Sequence, residues 1–244
     1  MKLTVVGTSC SWFKRKNTSF IIDDDIVFDM PSGAFKDIIN AIDIYKVRSV
    51  FISHIHTDHF SDLHYLLTET YRHLDKRNLK KLKLYGPKGL LKLVVDVNRL
   101  TSTDPQECSY ELHENSIDFI ELEDGMTFTE GKYKVTAYKM SHGDVETYGF
   151  TFEDEKGVVV GFSADTAMCD NLEKIVKNSD YAFVEMCRTE VGSKHLSIDE
   201  FLALAKKYPE TKMFPVHTSD VCQEYAEKNG MNYVHDGQVL NFDE

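Results

Sequence analysis

Three histidines and an aspartate crowd into six positions of this chain, His54-Ile55-His56-Thr57-Asp58-His59. The apolar run Val50-Phe51-Ile52 precedes them and predicts a strand that ends at the cluster. Residues two apart on an extended chain share a face, so His54 and His56 can grip one ion together. Asp58 and His59 follow on a turn and can address a second ion. Neutral imidazole suits zinc, and carboxylate widens the choice to manganese or iron. The plain alternative is a histidine-rich polar loop; four ligand-type residues at one strand end argue against it.

Three single ligands stand at further predicted strand ends. They are His142 in Ser141-His142-Gly143-Asp144, Asp165 in Gly161-Phe162-Ser163-Ala164-Asp165-Thr166, and His217 in Phe214-Pro215-Val216-His217. Alone, each reads as a loop residue, a helix cap or a satisfied polar group. Their order and strand-end placement after the first cluster make them a set. A further stretch, Lys194-His195-Leu196-Ser197, precedes a predicted helix and follows Val184-Glu185-Met186-Cys187.

The series His-x-His-x-Asp-His, His, Asp, His resembles the metallo-β-lactamase fold hydrolases over nearly the whole chain. Leu3–Ser9 resembles that family's first strand and Gly-Thr turn. Asn17-Thr18-Ser19-Phe20 and Phe28-Asp29 resemble the approach to its early aspartate. The family's Asp-x-Gly is replaced by Asp29-Met30-Pro31-Ser32-Gly33. Asp29 either orients a ligand histidine or simply ends a strand. The resemblance implies two divalent ions, zinc or else manganese. His54, His56 and His142 would hold one, and Asp58, His59 and His217 the other. Asp165 would bridge both, with hydroxide as the second bridge and nucleophile.

The Glu-bearing strand end followed by His-x-Ser resembles the ribonuclease Z-like branch. That likeness implies His195 as general acid, with Asp58 and Glu185 completing the catalytic set. For Glu185 the alternative is a solvated strand-end carboxylate. Ser197 and Ser219, both at predicted helix starts, are candidate substrate contacts, because free backbone N–H groups there attract phosphate. For Ser197 the alternative is a helix cap, in a capping box with Glu200 three residues on. His64, His73, His113 and His235 are assigned surface or packing roles. Cys187 and Cys222 are assigned as small buried apolar residues.

Charge narrows the substrate. The chain has 28 Lys+Arg against 40 Asp+Glu, a formal net charge of −12. That field repels a long nucleic acid, but not a small anion at a locally positive site. The dense basic run from Lys76 to Lys83 is taken as a solvated face. Only 22 residues separate His142 from Asp165, and the predicted strands Tyr148–Glu153 and Gly157–Phe162 consume most of them. Little room remains there for the long basic arm of ribonuclease Z proteins. The expected substrate is a small phosphodiester or nucleotide such as a cyclic nucleotide. Transfer-RNA 3′ processing and lactone or thioester hydrolysis are the enzymatic alternatives; a metal-binding relic is the non-enzymatic one. No apolar run suffices for a membrane span. Five scattered cysteines and a start without signal-peptide character predict a reduced, cytoplasmic protein.

The elements that must position these residues alternate. Strands are predicted at Leu3–Val6, Ser19–Asp23, Ile26–Asp29, Ser49–Ser53 and Leu82–Tyr85. A second set covers Ile117–Leu122, Met126–Glu130, Tyr133–Lys139, Tyr148–Glu153 and Gly157–Phe162, then Tyr181–Glu185 and Lys212–Pro215. Helices are predicted at Ala34–Ile42, Ser61–Leu74, Gly89–Leu100, Asn171–Lys177, Ser197–Tyr208 and Ser219–Asn229. Thr101–Asn115 is a candidate loop. Strands then helix, given twice, suggest two packed sheets with helices outside. With the resemblance, this becomes a single α/β domain over residues 1–244, a four-layer αβ/βα sandwich of two mixed sheets. The resemblance also implies a homodimer through Phe60–Leu74. Leu63, Leu66, Leu67 and Tyr71 would serve that interface, or equally a core-facing stripe.

Overall fold

A computed structural model describes residues 1–10, 14–78, 80–101 and 114–242. Two mixed sheets form the centre. The first joins β1 (Lys2–Gly7), β2 (Ser19–Ile22), β3 (Ile26–Phe28), β4 (Ser49–Phe51), β5 (Leu82–Gly86) and β6 (Ile117–Glu121), with a late strand β13 (Val239–Asn241) beside β1. The second runs β12-β11-β10-β9-β8-β7, built from β7 (Thr127–Glu130), β8 (Tyr133–Lys139), β9 (Tyr148–Glu153), β10 (Val159–Phe162), β11 (Tyr181–Glu185) and β12 (Lys212–Val216). Strands β3 to β6 run parallel, as do β10 to β12. The α/β sandwich expectation is thereby met.

Both faces of each sheet are covered, so its strands read as unbroken apolar runs. Phe20, Ile22, Ile26, Phe28 and Phe51 face the second sheet, while Ile21, Val27 and Val50 face outward. The outward face is covered by helices α1 (Ala34–Ala41), α3 (Leu63–Arg72) and α4 (Leu90–Thr101). On the second sheet, Phe183 points inward, and Ala182 and Val184 point to helices α5 (Asp170–Lys177), α6 (Ile198–Lys207) and α7 (Asp220–Lys228). The two sheets meet through aromatic rings. Phe162 lies 5.1 Å from Phe20, 5.2 Å from Phe28 and 5.4 Å from Phe183, centroid to centroid. Truncating such a ring to alanine costs about 3–5 kcal/mol.

The predicted helix Ser61–Leu74 is α3, trimmed at both ends, and a separate short helix, the single turn α2 (Thr57–Phe60), precedes it. The break is enforced from the neighbouring loop: Met30 N–H donates to the His59 carbonyl, and Asp62 N–H donates to the Met30 carbonyl. Leu63, Leu66 and Leu67 lie buried in the core, so that apolar stripe faces inward. The loop expected at Thr101–Asn115 falls largely outside the described residues. No helix among the described residues is long and apolar enough to cross a membrane.

Candidate metal centre

All seven expected ligands come from the segments that follow β4, β8, β10 and β12, Asp58 and His59 on α2 and the other five on loops, and they converge. His54 Nε2 and His142 Nε2 stand 3.0 and 3.2 Å from His56 Nδ1. Asp165 Oδ2 lies 3.8 Å from the first and 3.9 Å from the second. A second group forms beside it. Asp58 Oδ2 is 3.8 Å from His59 Nε2 and 3.6 Å from His217 Nε2. The other oxygen of Asp165, Oδ1, lies 3.4 Å from each of these nitrogens. Donors about 2.0–2.2 Å from one tetrahedral ion sit roughly 3.3–3.6 Å apart; the first group's spacings of 3.0–3.9 Å bracket that value, and the second group's run from 3.4 to 3.8 Å. Asp165 thus presents one oxygen to each.

The donors lack other partners. His59 Nε2, Asp165 Oδ1 and both ring nitrogens of His217 are buried without a hydrogen bond. Each such orphan costs about 1–3 kcal/mol if nothing satisfies it. Imidazole and carboxylate donors around two points fit a pair of divalent cations, and the residues present therefore suit them. Three non-glycine residues around the site stand in the left-handed region: Asp29 after β3, Ala164 after β10 and His217 after β12, at φ 56°, 51° and 49°. Backbone strain of this kind persists where surrounding structure over-determines it.

Neighbours fix the ligand rings. Asp29 is fully buried and accepts from Ser53 N–H at 2.7 Å and from the Ser53 hydroxyl at 2.8 Å. Its Oδ2 is 2.7 Å from His59 Nδ1. Of the two roles open to Asp29, it takes the orienting one. Ser53 Oγ also lies 3.0 Å from His54 Nδ1. His142 Nδ1 donates to the Lys194 carbonyl at 2.8 Å, which turns Nε2 toward the cluster.

Electrostatics separate the two groups. Burial pushes His54 well below the usual imidazole range, helped by the neighbouring His59 charge, and burial also lowers His56 and His142. These three are neutral and ready to donate lone pairs. Burial also works against charge on His59 and His217, but carboxylates win there. Asp165 and Asp29 raise His59 well above its ordinary value. Asp165 and Asp58 raise His217 to about 10. Burial opposes ionisation of Asp165 and Asp58 too, yet the adjacent imidazoles hold both below the usual carboxylate range.

His195 and Glu185 sit beside the clusters. Glu185 is fully buried at the end of β11 and is held by Thr166 N–H. Its Oε2 lies 3.1 Å from His195 Nδ1. His195 Nδ1 is also 3.9 Å from Asp165 Oδ2. With Nδ1 donating to Glu185, Nε2 is left for chemistry. Burial raises Glu185, against the pull of His195.

A cavity of about 540 Å³ opens over these groups, lined among others by His56, Asp58, Asp165, His195, His217 and Ser219. Ser219 caps α7 through Cys222 N–H and is half-buried there. Ser197 does not line this cavity. It is fully buried, its hydroxyl donates to Glu200 at 2.7 Å, and the capping box with Glu200 is complete. Cys187 differs from expectation: it is half-buried and lines the cavity beside Cys10 and Arg188, whereas Cys222 is buried. Its place two residues beyond Glu185 was the available signal. Arg188, Cys10 and Ser53 carried none. His64, His73 and His235 lie away from the site, and His113 lies outside the described residues.

The model of the β-lactamase superfamily domain matches residues 32–218. Ribonuclease Z of Ligilactobacillus salivarius (strain UCC118) is 31% identical over 166 residues, which cover 64% of this chain and 49% of that protein. In that match the chain spans about half of its relative. Ribonuclease Z of Staphylococcus aureus (strain MSSA476) is 26% identical over 285 positions, covering 90% of this chain and 89% of that one. Among solved structures, the metallo-β-lactamase fold protein YhfI from Bacillus subtilis superposes with a TM-score of 0.77 at 18% identity, covering 98% of both chains. A diphosphatase from the PhnP family also gives 0.77, at 17% identity, covering 99% of this chain and 98% of that one. At such identities the structures show a common fold.

Proposed function

Because this chain belongs to the β-lactamase superfamily, we propose that it is a dimetal phosphodiesterase acting on a small nucleotide, such as a cyclic nucleotide. Its broader standing as a metal-dependent hydrolase follows from the family and from its ribonuclease Z relatives. The observation that carries the finer reading is the His195–Glu185 pair, 3.1 Å apart, beside two ligand clusters that share Asp165. Two divalent cations, when bound, activate water and neutralise charge on phosphodiester oxygens. Five imidazole nitrogens with two carboxylates favour zinc, with manganese second.

The side chains do the rest. His54, His56 and His142 offer lone pairs at one position, and Asp58, His59 and His217 at the other. Asp165 ties the two. His195, oriented by Glu185, gives its Nε2 proton to the departing alkoxide, and the Glu185 carboxylate at Nδ1 stabilises the doubly protonated ring that makes the donation. Ser219 and Arg188 line the same cavity and can contact the ester's non-reacting part. A cavity of about 540 Å³ suits a mononucleotide, within the roughly 300–1,000 Å³ usual for small-molecule sites.

Transfer-RNA 3′ processing is the second reading, favoured by relatives called ribonuclease Z that align along 90% of the chain. Against it stand the net charge of −12 and the length of that alignment. It runs over 285 positions against 244 residues here, so the relative carries stretches with no counterpart in this chain. The unbridged thiols of Cys10 and Cys187, which line one cavity, support a reducing, cytoplasmic setting. The test is hydrolysis of bis(p-nitrophenyl) phosphate by zinc- or manganese-loaded protein, then of 3′,5′-cyclic nucleotides against precursor tRNA. His195→Ala is expected to lower turnover about 10²–10⁴-fold with metal content unchanged. Failure of loaded protein to cleave any phosphodiester overturns the reading, and preference for precursor tRNA selects the second one.

A further inference from the structure

Cys187 has no part in the arrangement above, yet its sulfur and one ring nitrogen from each of His195 and His217 all lie within 4.8 Å of one another. The thiol is half-buried, unbridged and open to the cavity. A second thiol, that of Cys10, lies on the loop after β1 and lines the same cavity. His217 is 4% exposed, and neither of its ring nitrogens has a hydrogen-bond partner. One sulfur and two imidazoles, with a fourth direction open to the Cys10 sulfur or to solvent, are the donor set of a soft tetrahedral ion.

We infer that Cys187, His195 and His217 form a further cation position, selective for a thiophilic divalent ion such as cadmium or excess zinc, and mutually exclusive with the Asp58–His59–His217 position. Exclusion follows from His217. A neutral imidazole has one lone pair, its other nitrogen bearing the proton, so the ring serves one ion at a time. Softness then decides the choice: thiolate prefers cadmium, and the carboxylate-bearing position prefers harder ions. As the sulfur–metal bond forms, the thiol proton leaves to solvent and no electron is transferred. Such an ion occupies His195 and removes a ligand from the neighbouring position together. The position stands on its donors alone; only its inhibitory consequence rests on the phosphodiesterase reading.

Cadmium titration of the metal-free full chain tests this. Thiolate-to-cadmium charge-transfer absorption reports sulfur ligation, and equilibrium dialysis counts bound ions. The expected result is a charge-transfer band with two ions per chain at saturation. In Cys187→Ser and Cys187→Ala most of the band disappears while two ions still bind, the second moving to Asp58, His59 and His217. Cys222→Ser, altered at a buried cysteine outside the cavity, keeps the band. Absence of a band in the unaltered protein, or its survival in both Cys187 variants, overturns the position. Binding of three ions overturns the exclusion. No readout uses a substrate, so failure here and failure of the phosphodiesterase reading are separate results.

Discussion

Removing the Asp29 carboxylate probes the point where the fold holds the chemistry. Asp29 accepts from the Ser53 N–H and hydroxyl and contacts His59 Nδ1, all within 2.7–2.8 Å. In Asp29→Ala the His59 ring loses the partner that aims its Nε2. Loss of such an orienting group weakens metal binding about 10–100-fold, or roughly 1.4–2.7 kcal/mol. The loss is local. His54 keeps Ser53 Oγ at 3.0 Å from its Nδ1, and His142 keeps the Lys194 carbonyl. Zinc titration against a competing chelator should therefore show one position weakened by that factor and the other nearly unchanged.

Stability responds separately. The buried Ser53 N–H loses its acceptor, at about 1–3 kcal/mol. For a chain of this size each kcal/mol lowers Tm by about 2–4 °C. Asp29→Asn retains the volume and one acceptor oxygen, so its affinity loss should fall nearer tenfold. Equal weakening of both positions in a folded variant, or no weakening at all, would refute the assignment of Asp29 to His59.

Four further outcomes are expected. Glu185→Gln should lower turnover by as much as the roughly 10²–10⁴-fold that a general acid supplies while two ions remain bound; loss of an ion would make Glu185 a structural support of the ligands. Zinc binding to metal-free protein near neutral pH should release protons from His59, raised well above its ordinary value, and from His217, raised to about 10. Calorimetry in buffers of different ionisation heat measures that release, and a value near zero contradicts it. In the same metal-free protein the raised His217 contributes stability fully present below about pH 6.5 and lost as pH rises through about 10. Ser197→Ala should cost about 0.5–2 kcal/mol by removing the helix cap and leave KM unchanged; a raised KM would restore Ser197 as a substrate contact.

What could be read from the residues follows the range of the forces involved. Strand positions were legible because two-sided burial makes them short apolar runs, as at Phe20-Ile21-Ile22 and Val159-Val160-Gly161-Phe162. Pro215 marked an apparent strand end, but β12 is an edge strand and tolerates the missing N–H, so it continues to Val216. The split between α2 and α3 was not legible, since it depends on hydrogen bonds from Met30, distant in sequence. The ligand set was legible because metal donors are few in type and fall at strand ends. Arg188 was not, and Cys187 only through its place two residues beyond Glu185. Their exposure to the cavity is set by the return of the chain after residue 188, pinned where Arg188 bridges to Ser197, and nothing local encodes that return.

The acidic chain and an anionic substrate are reconciled at the site itself. Asp58 and Asp165 bring two negative charges, and the five histidine ligands are neutral once they hold metal. Two divalent cations would then leave the centre with a net charge of about +2 before substrate arrives. That charge sits at the floor of a cavity rimmed by Arg188, while the remaining surface carries the excess of 40 acidic over 28 basic residues. Attraction therefore acts at one point and repulsion everywhere else. A small phosphodiester meets only the first term, whereas a polyanion long enough to leave the cavity meets both. Raising ionic strength should accordingly slow cleavage of a cyclic nucleotide and, by screening the surface, relatively favour longer substrates. A cyclic-nucleotide to oligonucleotide rate ratio that rises with salt would show that charge outside the cavity does not govern the choice.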